Sequence, residues 1–448
     1  MRETAALSGR EQNISACVIA LACALPLGLL YYFFTDAPVL SVMLGTFLVL
    51  WSAFSVLKDL EHKEAIIVLA LLAVKFALTA YQALYKNLPL GGEDWGNYHF
   101  GAITITEKYS GVFEILFKSS SDLFTKLVAV IYSVFGAHTR QINQYILAGS
   151  FVAARYVFKT AMLLTERSYY YSSLCTIVFL VWPIDIIYSV TYLREMPVQM
   201  LVIVSFYCFV CFMKSRRPLY LVLSLVWISF ACMMHSGVVG ILFVYIVFMM
   251  LHESSKPSEI FSARNLVLAA VVIAALVVSP FWSSISAKIG DINSVDSLVE
   301  RAQQFTEGMA STRYISDMPE NFLQFIIQTP YRAILFAFVP LPWMINSFDT
   351  AISWVLDAVP QFWIIYRIAG LLKLSKMKSR KDRLYAVIFV LCVVMTYIVC
   401  GMGTTAYGNA IRHRAKILPL VLVFVVGVYG YLRKGGEKYA AEHYRSGI

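Results

Sequence analysis

Apolar residues in this chain run on for whole stretches instead of alternating with polar ones. Such stretches fall near 14–34, 37–57, 64–84, 141–163, 170–188, 196–213, 218–234, 236–251, 265–282, 350–373, 384–402 and 418–432. Each is roughly 15–24 residues long, about what a helix needs to cross a hydrocarbon core of roughly 30 Å. The pattern predicts an all-α polytopic membrane protein of about 12 transmembrane helices. It reads as a single integral membrane domain over 1–448, with external loops at about 85–140 and 283–349. Two apolar stretches, 123–136 and 334–345, are too short to cross, and the second is broken by Pro340 and Pro342. They are expected as re-entrant or interfacial segments, since irregular backbone survives at membrane depth only where protein or water satisfies it. In the second external loop Val295, Leu298, Val299, Ala302, Phe305 and Met309 recur at helical spacing, which predicts an amphipathic helix.

Composition agrees. Hydrophobic residues make up 59% of the chain and charged ones 14%, too little polar cover for a soluble surface. The net charge of +10 does not point to nucleic acid, because the basic residues gather in short loops between spans. With the N-terminus inside, 58–63, Lys214-Ser215-Arg216-Arg217, 252–264, 373–383 and the tail from Arg433 all fall on the cytoplasmic side, as the positive-inside rule requires. All eight cysteines lie in apolar stretches, where they read as small buried hydrophobes. The first span lacks a cleavage pattern and reads as retained.

The candidate chemistry gathers on the outer side. Gly91-Gly92-Glu93-Asp94-Trp95-Gly96-Asn97-Tyr98-His99 sets two carboxylates beside a glycine pair and two aromatics suited to the membrane interface. Asp94 is either the cap of a helix starting at Trp95 or a general base for an attacking hydroxyl. His99 is either a second polar contact or an interfacial residue. Asp185 falls in the outer third of a span, where a carboxylate requires a partner or a polar cavity. Arg194 and Glu195 open the next span. An arginine on the outer face works against orientation, and its fork suits phosphate or pyrophosphate. Arg412, His413, Arg414 and Lys416 form a third cluster before the last span. This cluster either binds phosphate or balances the carboxylates of the second loop. His235, Lys75, Arg155 and Lys159 are weaker candidates, the last two either pairing with Asp185 or reaching out to the interface.

At these residues the chain resembles the C-type superfamily of polytopic glycosyltransferases, which use polyprenyl-phosphate or -pyrophosphate sugars at the outer face. Asp94 followed by Tyr98 matches that pattern, as does Arg412-His413-Arg414 ahead of Pro419. Leu193-Arg194-Glu195 and Pro340-Leu341-Pro342-Trp343 resemble elements of bacterial exopolysaccharide and O-antigen polymerases. One departure is that three spans precede the acidic loop where the family pattern has one. The resemblance implies catalysis by Asp94, with Glu93 and Asp185 in support. It implies lipid-phosphate contacts from Arg194, Arg412 and Arg414, and a groove lined by Trp95, Tyr98 and Trp343, with Glu195, His413 and His99 at hand. It requires no cofactor and leaves room for a divalent cation. The expected partners are a polyprenyl-linked saccharide, membrane lipid and other polysaccharide-assembly proteins. The expected location is the bacterial inner membrane with a periplasmic active face. The alternative is a transporter or flippase of a lipid-linked oligosaccharide, favoured by charges within spans.

Overall fold

The computed structural model describes residues 22–86, 88–92, 94–252, 313–315, 322–376 and 380–434. Among them every regular element is a helix, and the one β-type pairing is an isolated bridge between Arg313 and Ala406. The chain groups into two compact units. The first comprises Met1–Ser119, Phe124–Ile203 and Glu437–Ile448, and the second Ser120–Leu123 and Val204–Gly436.

The first unit holds α1 (Ala22–Thr35), α2 (Val39–Leu57), α3 (His62–Tyr85), α4 (Trp95–Lys108), α5 (Val112–Lys118), α6 (Leu123–Phe135), α7 (Ile142–Leu164), α8 (Tyr169–Val181), α9 (Pro183–Val190) and the start of α10 (Glu195–Ser215). At its centre α7 packs against α2, α3, α8 and α9. The close approach of α2 depends on Gly45, where a Cβ would lie 2.6 Å from Gln144 Oε1; Gln144 in turn donates to Thr46 Oγ1 at 2.9 Å. Small residues let helices meet closely where lipid gives no hydrophobic drive. Helix α3 is apolar toward its surroundings, with Ile66, Leu69 and Val74 exposed, and polar toward the unit, with Lys75, Thr79 and Gln82 buried on one face.

The second unit holds α11 (Pro218–Met234), α12 (Val239–His252), α13 (Phe322–Phe338), α14 (Phe348–Ser353), α15 (Val359–Lys376), α16 (Arg380–Gly403), α17 (Tyr407–Ala415), α18 (Leu418–Leu422) and α19 (Tyr429–Lys434). Here α16 packs against α12, α13 and α15. Two π turns interrupt the α geometry, Trp354–Ala358 between α14 and α15 and Val423–Val428 between α18 and α19.

Among the described residues six helices are long and apolar enough to cross a membrane, or eight if each of two bent pairs is one span. The protein is therefore helical and membrane-embedded in character, and the twelve crossings expected from the sequence are reached only in part. The apolar stretch at 265–282 and the amphipathic helix expected over 295–309 lie outside the described residues. The stretches at 218–234 and 236–251 form apolar helices of fewer than 18 residues. The stretch at 170–188 bends by 61° between α8 and α9. Pro183 supplies no N–H and holds Trp182 in extended backbone, at φ −63° and ψ 126°. The helix Leu418–Lys434 that carries the final stretch is bent by 62° from the preceding α17, ahead of Pro419. Of the short segments, 123–136 is a 13-residue helix, as its length allows. In the segment at 334–345 the first part is the end of the 17-residue α13, and a 3-10 turn follows at Pro342–Met344.

Candidate functional site

The segment after α3 forms the short helices α4, α5 and α6, and its start holds the acidic motif. Asp94 directly precedes α4. It takes the cap position with helical backbone, φ −61° and ψ −15°, and its side chain makes no capping hydrogen bond. A cap residue ordinarily has extended backbone and accepts from the next turn, so the capping expectation for Asp94 is not met. Asp94 is half-buried. Glu93 lies outside the described residues. Gly92 has φ +65°, a left-handed turn that glycine adopts without steric cost.

One turn into α4, Tyr98 is buried edge-on against Phe124 of α6, their ring centroids 4.9 Å apart. The Arg194 guanidinium lies 5.7 Å from the centre of the Tyr98 ring. The acidic loop and the arginine ahead of α10, nearly a hundred positions apart in the chain, thus meet on one aromatic side chain. Glu195 is buried as the first residue of α10, where a carboxylate favours the positive end of the helix. His99 places Nδ1 2.8 Å from the Tyr132 hydroxyl, which is itself 3.4 Å from that of Tyr192. Burial pushes the Tyr132 hydroxyl up to about 12, so it stays protonated at neutral pH.

The same loop brings in residues that sequence reasoning missed. Lys86, in left-handed backbone at the end of α3, sets its ammonium 3.4 Å above the Trp95 ring and donates to Thr139 Oγ1 at 3.2 Å. His138 Nδ1 accepts from the Arg140 backbone N–H at 3.4 Å, and the Arg140 guanidinium donates to the Thr35 carbonyl at 2.6 Å. Burial, then Lys86 and His138, hold His99 below the usual histidine range. Burial and Arg140 do the same to His138, and to Lys86 relative to an ordinary lysine. The signal that could have found them is the one used for Arg194: cations in an outer loop breach positive-inside logic.

Asp185 has the partner that a carboxylate within a span requires. It is fully buried in the first turn of α9, forms an ion pair with Lys75 of α3, and lies 3.4 Å from the Ser150 hydroxyl of α7, which also accepts from Lys75 at 3.1 Å. It joins three helices inside the first unit. Its partner is Lys75, so neither Arg155 nor Lys159 is needed to neutralise it.

In the second unit, Arg414 is buried and its guanidinium is engaged by the Asp357 carboxylate and by the carbonyls of Phe336 and Val339. Those contacts use the fork that was expected to hold a lipid phosphate. Arg412 is 9% exposed. His413 stands between two partners, 3.2 Å from His235 Nε2 through its Nε2 and 3.0 Å from Thr404 Oγ1 through its Nδ1. Because His235 Nδ1 accepts the Gly237 N–H at 3.0 Å, its Nε2 carries the proton and donates to His413. A neutral His413 then donates from Nδ1 to Thr404. Trp343, in the 3-10 turn after Pro340, is 78% exposed. Among the described residues no three of histidine, cysteine, aspartate and glutamate are grouped closely enough to hold a metal ion.

Comparison with known proteins leaves the chain on its own: no family model, curated protein or solved structure matches it.

Proposed function

We propose that this protein is a membrane glycosyltransferase or polymerase. It would use polyprenyl-(pyro)phosphate-linked saccharides at the outer face of a bacterial inner membrane, in surface-polysaccharide assembly. The full chain would cross about 12 times, with the loop around Asp94 outside. The single observation that carries the reading is the meeting of Arg194 with Tyr98, one turn after Asp94. The aromatic ring one turn after Asp94 and a guanidinium from the start of α10 then meet in the first unit. In the reaction, a hydroxyl of the acceptor sugar attacks the anomeric carbon of the donor and gives its proton to Asp94. The bond from that carbon to the phosphate oxygen breaks, and the electron pair leaves on the phosphate, whose charge Arg194 stabilises. The reading requires no cofactor and leaves room for a divalent cation beside the carboxylates.

A transporter or flippase is the second reading, and the buried Lys75–Asp185 pair favours it, since ionised residues within spans commonly mark ion or substrate paths. The experiment that separates the two is Asp94→Asn in protein shown to insert at normal abundance, read on the gel ladder of surface polysaccharide. Loss of long chains with single repeat units retained is the outcome expected of a polymerase. Loss of the first unit as well moves the assignment to an earlier sugar transfer. An unchanged ladder removes Asp94 from the chemistry and leaves transport as the better account.

A further inference from the structure

We propose that Lys86, His99, His138 and Arg140, gathered around Trp95 and Thr139, form a binding site for a phosphate dianion. The proposal deepens the reading above by relocating its phosphate contact, and takes from that reading only the identity of the lipid. All six residues belong to the first unit and are half-buried, neither sealed in the core nor loose on the surface. They arrive from three places: the end of α3, the first two turns of α4, and the 3-10 turn Thr139–Gln141 that leads into α7.

The fold holds these groups together against their own electrostatics. Lys86 and Arg140 repel each other, and His99 and His138 each face Lys86. Asp36 is the carboxylate that acts on His138. A lysine ammonium has three N–H donors. Thr139 takes one, and the Trp95 ring attracts the cation without accepting a full hydrogen bond. Arg140 uses one amino group on Thr35, and a guanidinium has five donors. The start of α7 adds the positive end of a 23-residue helix, a setting that favours anions. Donors from several sides, net positive charge and partial exposure together match a tetrahedral dianion better than a planar carboxylate.

Depth points to a head group. Lys86 follows a candidate span, and the exposed Tyr81 and Tyr85 flank it on the last turn. Tyrosine and tryptophan concentrate where lipid phosphates lie. The shared chemistry is a phosphate monoester or pyrophosphate, carried by a lipid or free in solution.

The test is calorimetric binding of geranyl phosphate to the full chain in phosphatidylcholine nanodiscs, with inorganic phosphate and geraniol as companion titrants. Wild-type protein is expected to bind geranyl phosphate and not geraniol. Lys86→Met should weaken binding roughly tenfold, as expected for losing one charge-assisted contact, and Lys86→Arg should restore most of it. His138→Gln provides an independent variant should Lys86→Met fail to insert, and is expected to weaken binding in the same direction. Equal affinity for inorganic phosphate would assign the site to free anion; a strong preference for geranyl phosphate assigns it to lipid. Either result supports the site. Binding of geraniol as tight as that of its phosphate, no binding at all, or unchanged affinity in an inserted Lys86→Met together with His138→Gln overturns it. Asp94→Asn should bind normally while failing to transfer, so the failure of this site and the failure of the catalytic reading give different results.

Discussion

His99 reports the field around it more directly than any other side chain in the first unit. Burial and two cationic neighbours, Lys86 and His138, all disfavour its protonated form. Removing the lysine charge therefore raises its pKa. In a ring-proton NMR titration, His99 of Lys86→Met should titrate at higher pH than in wild type. No change would mean that burial alone sets the ring and that Lys86 points its charge elsewhere. The sign extends to ligands. A dianion bound among Lys86, Arg140, His138 and His99, with Asp36 and Tyr132 facing the same rings, favours the protonated imidazoles. Binding of the dianion then takes up protons at these rings. None of this was legible residue by residue. Asp94, Tyr98 and Arg194 stood out because carboxylates, aromatics and outer-face arginines are conspicuous in an apolar chain. Lys86 and His138 are brought together by three segments of the chain, the end of α3, the start of α4 and the 3-10 turn before α7, which no local periodicity encodes.

At the scale of elements, the break between α8 and α9 does the most to organise the first unit. Pro183 starts a new helix, and the new start places Asp185 in a first turn, where the helix dipole favours a carboxylate and Lys75 lies within reach. With alanine at 183 an N–H returns, and the carbonyl of Phe179, now accepting from Trp182 at 3.2 Å, becomes available to continue α8. Asp185 would then turn away from Lys75. Leaving one partner of a buried pair alone costs about 3–5 kcal/mol, so Pro183→Ala and Asp185→Leu should each lower Tm in detergent, and the double variant should lie no lower than the worse single. Adding Lys75→Met to Asp185→Leu should recover much of the loss. Additive losses would show that the bend and the ion pair are independent. The sequence announced the proline but read 170–188 as one continuous crossing, because hydropathy averages over a bend. The polar face of α3 escaped for the same reason: Lys75, Thr79 and Gln82 are single positions within a strongly apolar run.

For the whole molecule, helical content and membrane character were plain in the sequence, because long apolar runs leave the backbone no other way to satisfy its hydrogen bonds in lipid. The count of crossings was less so, since α11 and α12, with 17 and 14 residues, lie at or below the length that a bilayer requires. Orientation is testable directly. With the native cysteines in apolar stretches, a cysteine introduced at Asn97, exposed on α4, should react with an impermeant maleimide added to intact cells. One at Arg216, exposed between α10 and α11, should react only after permeabilisation. The reverse pattern would put the acidic loop in the cytoplasm and end the case for an outer-face reaction.

The π turn at Trp354–Ala358 has one more consequence. Such a turn holds one residue more than the α-helix around it, with hydrogen bonds reaching five positions along instead of four. Asp357 sits inside it, and its carboxylate is what Arg414 meets. The surplus residue resembles a shim in a joint: take one position out, and α14 and α15 can fuse into a single regular rod with the flanking register intact. What changes is the direction in which Asp357 points. The second unit therefore tolerates a shorter chain at this place more readily than a different aim, and length itself becomes the variable that sets where Arg414 is held.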